Sequence, residues 1–257
     1  MLRMGFIDQI GPRLHHCGYV VHSRLSLAQT SALMDTVVDE AWPQEAVLKD
    51  NPHNLVAIIA VSEDQPQRAV VKIPRSRNRR IVREGLLSPV RGSASRRAAE
   101  SLLRLKAAGF QAPDVLLLAE RRWCGLVMES FFVQEFVEGR YPAGDDVALV
   151  VRAMEALHAA GYTRRDAQLR NFIIVDDQVV FIDVGVKRPL LWRRVRCHLE
   201  YRRFLRLTPE ALACASPEVL TSFSFRLAGL LWFVHGATIG RLRRLRRWLK
   251  ACCRKKQ

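Results

Sequence analysis

No stretch of this 257-residue chain reaches the roughly 18–20 apolar residues that a membrane-spanning helix needs. The nearest, Leu227 to Ile239, is too short and is interrupted by His235 and by glycines. Met1 to Pro12 lacks an apolar core of signal-peptide length, so a cytoplasmic location is expected. Cys-x-x-Cys pairs are absent. The six cysteines are scattered apart from adjacent Cys252 and Cys253, which argues against a zinc site or a disulfide framework. His15, His16 and Cys17 cluster locally, but no second ligand pair accompanies them. A phosphate loop of the form G-x-G-x-x-G is missing as well. Acids are missing from the last segment: Arg241 to Lys256 holds nine basic residues and no Asp or Glu. Disorder is excluded by a hydrophobic content of 49%, and the length allows one large domain or two lobes.

What is present concentrates in one region. Thr163-Arg-Arg-Asp-Ala-Gln-Leu-Arg-Asn-Phe-Ile-Ile is followed by Val179-Val-Phe-Ile-Asp-Val-Gly. Asp166 and Asn171 are separated by Ala-Gln-Leu-Arg, and Asp183 ends an apolar run just before a glycine. Phosphoryl transfer needs a carboxylate that orients the attacking hydroxyl, and oxygen ligands for magnesium between the phosphates. Asp, Asn and Asp in this order supply those roles in the kinase arrangement. Taken singly, Asp166 reads equally well as a turn residue and Asp183 as a strand end. Their flanks favour the joint reading. Val147, Val150, Val151, Met154, Leu157 and His158 recur at helical spacing from Asp145 to Ala160, and Gly161 ends that helix. Phe172 to Val175 and Val179 to Ile182 then read as strands joined by a turn at Asp176-Asp-Gln.

A kinase also needs a strand lysine and a helix glutamate to hold it. Ala69-Val-Val-Lys-Ile predicts that strand, with Lys72 as the lysine. Ser95 to Ala107 predicts a helix capped by Ser95, and Glu100 is its one acid and the expected partner of Lys72. Val115 to Glu120 and Phe131 to Gly139 read as further strands. The second runs into the segment where backbone groups would meet adenine, at Glu135, Phe136 and Val137. Where a glycine loop would lie, the turn between candidate strands Ala46 to Lys49 and Leu55 to Ala60 is Asp50-Asn-Pro-His-Asn.

Val-Val-Lys-Ile-Pro-Arg, Arg91-Gly-Ser-Ala-Ser, Gly109-Phe-Gln-Ala-Pro, Val-Gln-Glu-Phe-Val-Glu-Gly and Asp-Ala-Gln-Leu-Arg-Asn-Phe together carry a family resemblance. The chain resembles the lipopolysaccharide core heptose(II) kinases, a branch of the protein-kinase-like superfamily that includes the Kdo kinases. The similarity runs from about Val20 to about Leu207. It implies an α+β, two-lobed protein-kinase-like fold, with a β-rich upper lobe over residues 1–138 and a mostly helical lower lobe over 139–257. It implies ATP-dependent phosphorylation of an inner-core heptose, with ATP and Mg2+ as cofactors and the acceptor on the cytoplasmic face of the inner membrane. By motif position, Asp166 would be the catalytic base, and Asn171 and Asp183 the magnesium ligands. Lys72 would bind the α/β-phosphates, with Glu100 orienting it, and Glu135 and Val137 would contact the nucleotide. The family usually has His-Gly-Asp where this chain has Arg164-Arg165-Asp166. That departure bears on the acceptor more than on the chemistry. A protein Ser/Thr kinase and a pseudokinase-type binding module stay open as alternatives.

Net charge is +16, and such a field attracts polyanions. Lys187 to Arg206 carries eight basic residues against Glu200 alone. Arg165, Arg193, Arg194 and Arg196 are the expected contacts to a phosphorylated glycolipid, since guanidinium groups pair with phosphate and carboxylate bidentately. A solvated basic helix is the alternative. From Arg241 to Lys250, Leu242, Leu245 and Leu249 make an apolar stripe beside arginines, the pattern of a helix lying on anionic lipid. No nucleic-acid-binding module is present, so nucleic acid is not an expected partner.

Overall fold

The computed structural model describes residues 7–61, 67–75, 87–164, 166–183, 185–234 and 238. It divides into two compact units, Met1–Tyr141 with Arg170–Val186, and Pro142–Leu169 with Lys187–Gln257. The α+β class holds, with a β-rich first unit and a helical second unit. The expected lobe boundary at residue 138 differs from this division. Residues 170–186 group with the first unit because the 172–181 hairpin bonds to it through main-chain contacts, Gln111 with Val180 and Arg140 with Ile174.

The first unit is built on seven antiparallel strands. They are β1 (Arg13–His16), β2 (Tyr19–Ser23), β3 (Val47–Asn51), β4 (Asn54–Ala60), β5 (Arg68–Pro74), β6 (Val115–Trp123) and β7 (Leu126–Glu135), in the order β1-β2-β6-β7-β5-β4-β3. β4 shows the cause most simply: period-two alternation sends Leu55, Ala57 and Ile59 to the buried side. A helix at Leu27–Val38 covers one face. It starts at a reciprocal capping box between Ser26 and Gln29, and it buries Thr30, Leu33, Met34 and Val37 at helical spacing. Leu33, Met34 and Val37 pack with Val21, Ala57, Ile59, Val71, Leu117, Ala119, Phe131 and Val133. The same alternation turns Lys72 and Phe132, neighbours in register, to the opposite face. The helix Ala94–Ala107 packs against β5, β6 and β7. Its cap is Ser93 rather than the expected Ser95: Ser93 Oγ accepts from the Arg96 N–H, while Ser95 is fully buried.

The second unit contains the helices Asp146–Ala159, Arg193–Leu207, Ala211–Cys214 and Pro217–Thr221, and residues 223–234 are helical. Val147, Val150, Val151, Met154 and Leu157 are the buried stripe of the first, as their spacing predicts. Tyr201 and Phe204 are fully buried from the long basic helix, with Phe225 packed against Tyr201. Tyr201 donates to Glu155 at 2.7 Å, and Ser216 N–H donates to the same carboxylate at 3.0 Å. Burial alone would raise the Glu155 carboxyl, but the Ser216 and Tyr201 bonds hold it below the usual carboxylate range. No helix among the described residues is long and apolar enough to cross a membrane.

Candidate functional site

In the first unit, the lysine strand and the hairpin after Asn171 supply the polar groups. Lys72 Nζ lies 3.3 Å from Asp183 Oδ1, joining residues 111 apart in sequence. The Lys72 side chain is only 17% exposed while that of Asp183 is 70% exposed, so the pair sits at a rim with its anion toward solvent. Lys72 also lies 5.9 Å from the Phe132 ring centroid, close enough for a cation–π contribution. The expected ion pair between Lys72 and Glu100 does not form. Glu100 is taken by its own helix: Arg96 Nε bonds one carboxylate oxygen at 3.1 Å and Arg104 Nη2 the other at 2.7 Å. Arginines four residues before and after an acid on one helix are its natural neighbours.

Asn171 and Asp183 are twelve residues apart, yet the hairpin brings their segments together. Its strands, Phe172–Val175 and Gln178–Phe181, pair Phe172 with Phe181, and the Ile182 N–H donates to the Asn171 carbonyl at 3.1 Å. At the other end, Asp176 and Asp177 make a tight turn, both at positive φ (47° and 57°). Asn171 is 6% exposed and closes a 3-10 turn at Leu169–Asn171. Asp183 has φ 54°, a left-handed conformation that Asp tolerates better than most residues and that concentrates at functional sites. An amide oxygen and a carboxylate form a hard donor set, suited to Mg2+ rather than to softer metals. Among the described residues, His16, Cys17 and Asp35 bring ligand-type atoms close together, but His16 is already paired with Asp35 at 2.8 Å and the site is open to solvent.

The segment expected to meet adenine follows β7. Glu135 donates its N–H to the Asp114 carbonyl at 2.9 Å, and its side chain accepts from the Asp114 N–H at 3.3 Å. Phe136 N–H bonds the Arg68 carbonyl. Two of the three candidate backbone donors are thereby used by the fold, and half-buried Val137 follows them. Beyond it, Gly139 runs so close to the hairpin that a Cβ there would sit 2.5 Å from the Ile174 carbonyl oxygen.

In the second unit, Asp166 is met by two groups that the motif did not single out. Gln168 Nε2 reaches both carboxylate oxygens, at 2.9 and 3.1 Å, and Arg203 Nη2 approaches at 3.4 Å. Gln168 lies within the Asp-Ala-Gln signature, so its signal was local. Arg203, 37 residues downstream, had no signal beyond belonging to a basic run. Glu200 is the second omission. Its carboxylate is 8% exposed and accepts the Arg164 N–H at 2.6 Å, with His158 Nε2 3.5 Å away. A buried carboxylate from the helix Arg193–Leu207 thus fastens the residue two before Asp166. Cys197 lies one turn earlier, its thiol pushed up to about 11 by burial and then by Glu200.

Of the expected substrate arginines, Arg193 packs its side chain over Gly161, where φ is +83° and a Cβ would come within 2.8 Å of Arg193 Cδ. Arg194 and Arg196 are exposed. Arg165 and the basic segment from Arg241 to Lys250 lie outside the described residues.

A family model described as lipopolysaccharide core biosynthesis protein (WaaY) matches residues 49–213. A solved structure of WaaP in complex with acyl carrier protein is similar with a TM-score of 0.43 and 18% identity, over 77% of this chain and 92% of that one. No curated protein sequence matches the chain.

Proposed function

Because this chain belongs to the family of lipopolysaccharide core biosynthesis proteins (WaaY) and is a lipopolysaccharide core heptose kinase, we propose the following division of labour among its residues. The ion pair of Lys72 with Asp183 is the observation that carries it. A strand lysine and a carboxylate from a hairpin 111 residues away meet where neither is needed to close the core. In this reading Lys72 holds the α/β-phosphates, and Asn171 and Asp183 hold Mg2+. The metal-bound nucleotide supplies the electrophilic γ-phosphorus and a neutralised leaving group. Val137 and the carbonyl of Glu135 offer main-chain groups to adenine, and Glu100 acts on Lys72 only through the helix it stiffens with Arg96 and Arg104.

Asp166 orients the acceptor hydroxyl and takes its proton. Gln168, bonded to both oxygens, fixes the carboxylate rotamer. Arg203, 3.4 Å from the same carboxylate, offers a cation to a phosphorylated sugar. Arg165, Arg194 and Arg196 belong to the same acceptor-facing set, with Arg193 placed by its packing on Gly161. The acceptor is an inner-core heptose hydroxyl, presented at the cytoplasmic face of the inner membrane, where the protein is peripheral.

Mass spectrometry of core oligosaccharide from a strain lacking this chain tests the assignment. One phosphate should be missing from a heptose, and purified protein with ATP and Mg2+ should restore it with release of ADP. A core that keeps every phosphate would refute the acceptor, and nucleotide binding without ADP release would refute turnover.

Glu200 gives a second expectation. Glu200→Leu leaves the buried Arg164 N–H without its acceptor, at a cost of about 1–3 kcal/mol in stability. Turnover should fall by about tenfold, equivalent to some 1.4 kcal/mol of misalignment, with KM for ATP unchanged. Glu200→Gln keeps an acceptor oxygen and should recover most of both. Urea melts and steady-state rates on the two variants check this, and equal rates in both would remove Glu200 from the loop's support.

A further inference from the structure

We propose that residues 187–192 form a membrane-docking tip, in which Leu190, Leu191 and Trp192 enter an anionic lipid surface and Lys187 and Arg188 bind its headgroups. The three apolar residues are 98%, 72% and 67% exposed. They follow one another in sequence, an exposed apolar run rather than scattered surface residues, and such exposure marks interaction sites. Lys187, Arg188, Arg193, Arg194 and Arg196 surround them and are all exposed. No acid occurs between Asp183 and Glu200. A protein partner would need an apolar socket ringed by acids. An anionic bilayer offers both layers at once, phosphates above hydrocarbon, and tryptophan favours that boundary.

Local backbone chemistry points the same way. Trp192 is the N-cap of the helix Arg193–Leu207, in a left-handed conformation (φ 56°), and makes no side-chain cap bond. The helix therefore begins without a side-chain cap and with two adjacent arginines, and no acid lies in its first turn. Cations are unfavourable at that end of a helix dipole unless an anion accompanies them. Lipid phosphates at the level of this helix start would offset its excess of positive charge. The tip differs from the stripe at Leu242, Leu245 and Leu249, and it also goes beyond the phosphoryl-transfer reading.

The experiment is co-sedimentation of the full chain with vesicles containing no acceptor, either phosphatidylglycerol mixed with phosphatidylcholine or phosphatidylcholine alone. Wild type should bind the anionic vesicles and release in high salt. Leu190→Ser/Leu191→Ser/Trp192→Ser should weaken that binding at least tenfold, with an unchanged thermal melt because the three side chains are exposed. Trp192→Phe, which stays apolar, should keep most of it. Undiminished binding by the triple serine variant would overturn the tip. So would a matching loss of turnover on deacylated core in solution, since that would assign the tip to the acceptor rather than to the bilayer. Failure of wild type to phosphorylate that soluble core counts against the heptose reading alone and leaves the vesicle result standing.

Discussion

Asp166→Asn is expected to lower kcat by about 10²–10⁴-fold, the range contributed by a positioned general base. KM for ATP should hardly move, because the residues assigned to the nucleotide lie in other segments. The substitution is unusually clean. Asn keeps an oxygen for Gln168, which bonds the carboxylate at 2.9 and 3.1 Å. The Arg203 contact at 3.4 Å joins side chains 45% and 40% exposed, so its loss costs at most about 1 kcal/mol. A rate defect of three orders of magnitude on a near-native melting curve would therefore report chemistry. Unchanged turnover would remove Asp166 from the role of base. If kcat falls while binding of the deacylated core also weakens, the carboxylate holds the sugar hydroxyl before it takes the proton.

Lys72→Met should also be severe, with turnover down by about 10²–10³-fold, the usual cost of deleting one preorganised group that stabilises developing charge. Its effect on stability separates it from a structural lysine. Asp183, left behind, is 70% exposed and stays hydrated, so no charge is stranded in the interior. A pair with one partner so open contributes about 1 kcal/mol or less, and Met replaces the aliphatic stem beside Phe132. Loss of activity without loss of fold is the expected signature. Asp183→Asn should match it in rate but shift the Mg2+ requirement upward, which Lys72→Met should not do. The double variant should be little worse than either single one, since groups that act as a unit are not additive. Rates that multiply would mean that the two residues work independently.

The division between what the sequence announced and what it hid follows from distance along the chain. The helix from 146 to 159 and the hairpin from 172 to 181 were legible because their signals are local: apolar spacing, a closing glycine and a two-aspartate turn. The strand bearing Lys72 was legible for the same reason. The partner of Lys72 was not. Glu100 looked right as the single acid on a nearby helix, but Arg96 and Arg104 are closer claimants four residues to either side. Ser95 looked like a cap, and Ser93 holds that place two residues earlier. Arg203 and Glu200 were invisible as individuals because each meets its target across more than thirty residues of chain. The hairpin's attachment through Arg140 and Ile174 was hidden in the same way, and it moved residues 170–186 into the first unit.

The Glu200 bond to Arg164 also makes the rotational phase of a helix part of the reaction machinery. Glu200 faces the loop because it lies seven residues, close to two full turns, after Arg193. One residue inserted between them would swing either Glu200 or the arginines by about 100°. Asp166, Asn171, Asp183 and Lys72 would all still be present, and every motif would read as intact. A relative with such an insertion would look competent on paper and carry a loop that nothing fastens.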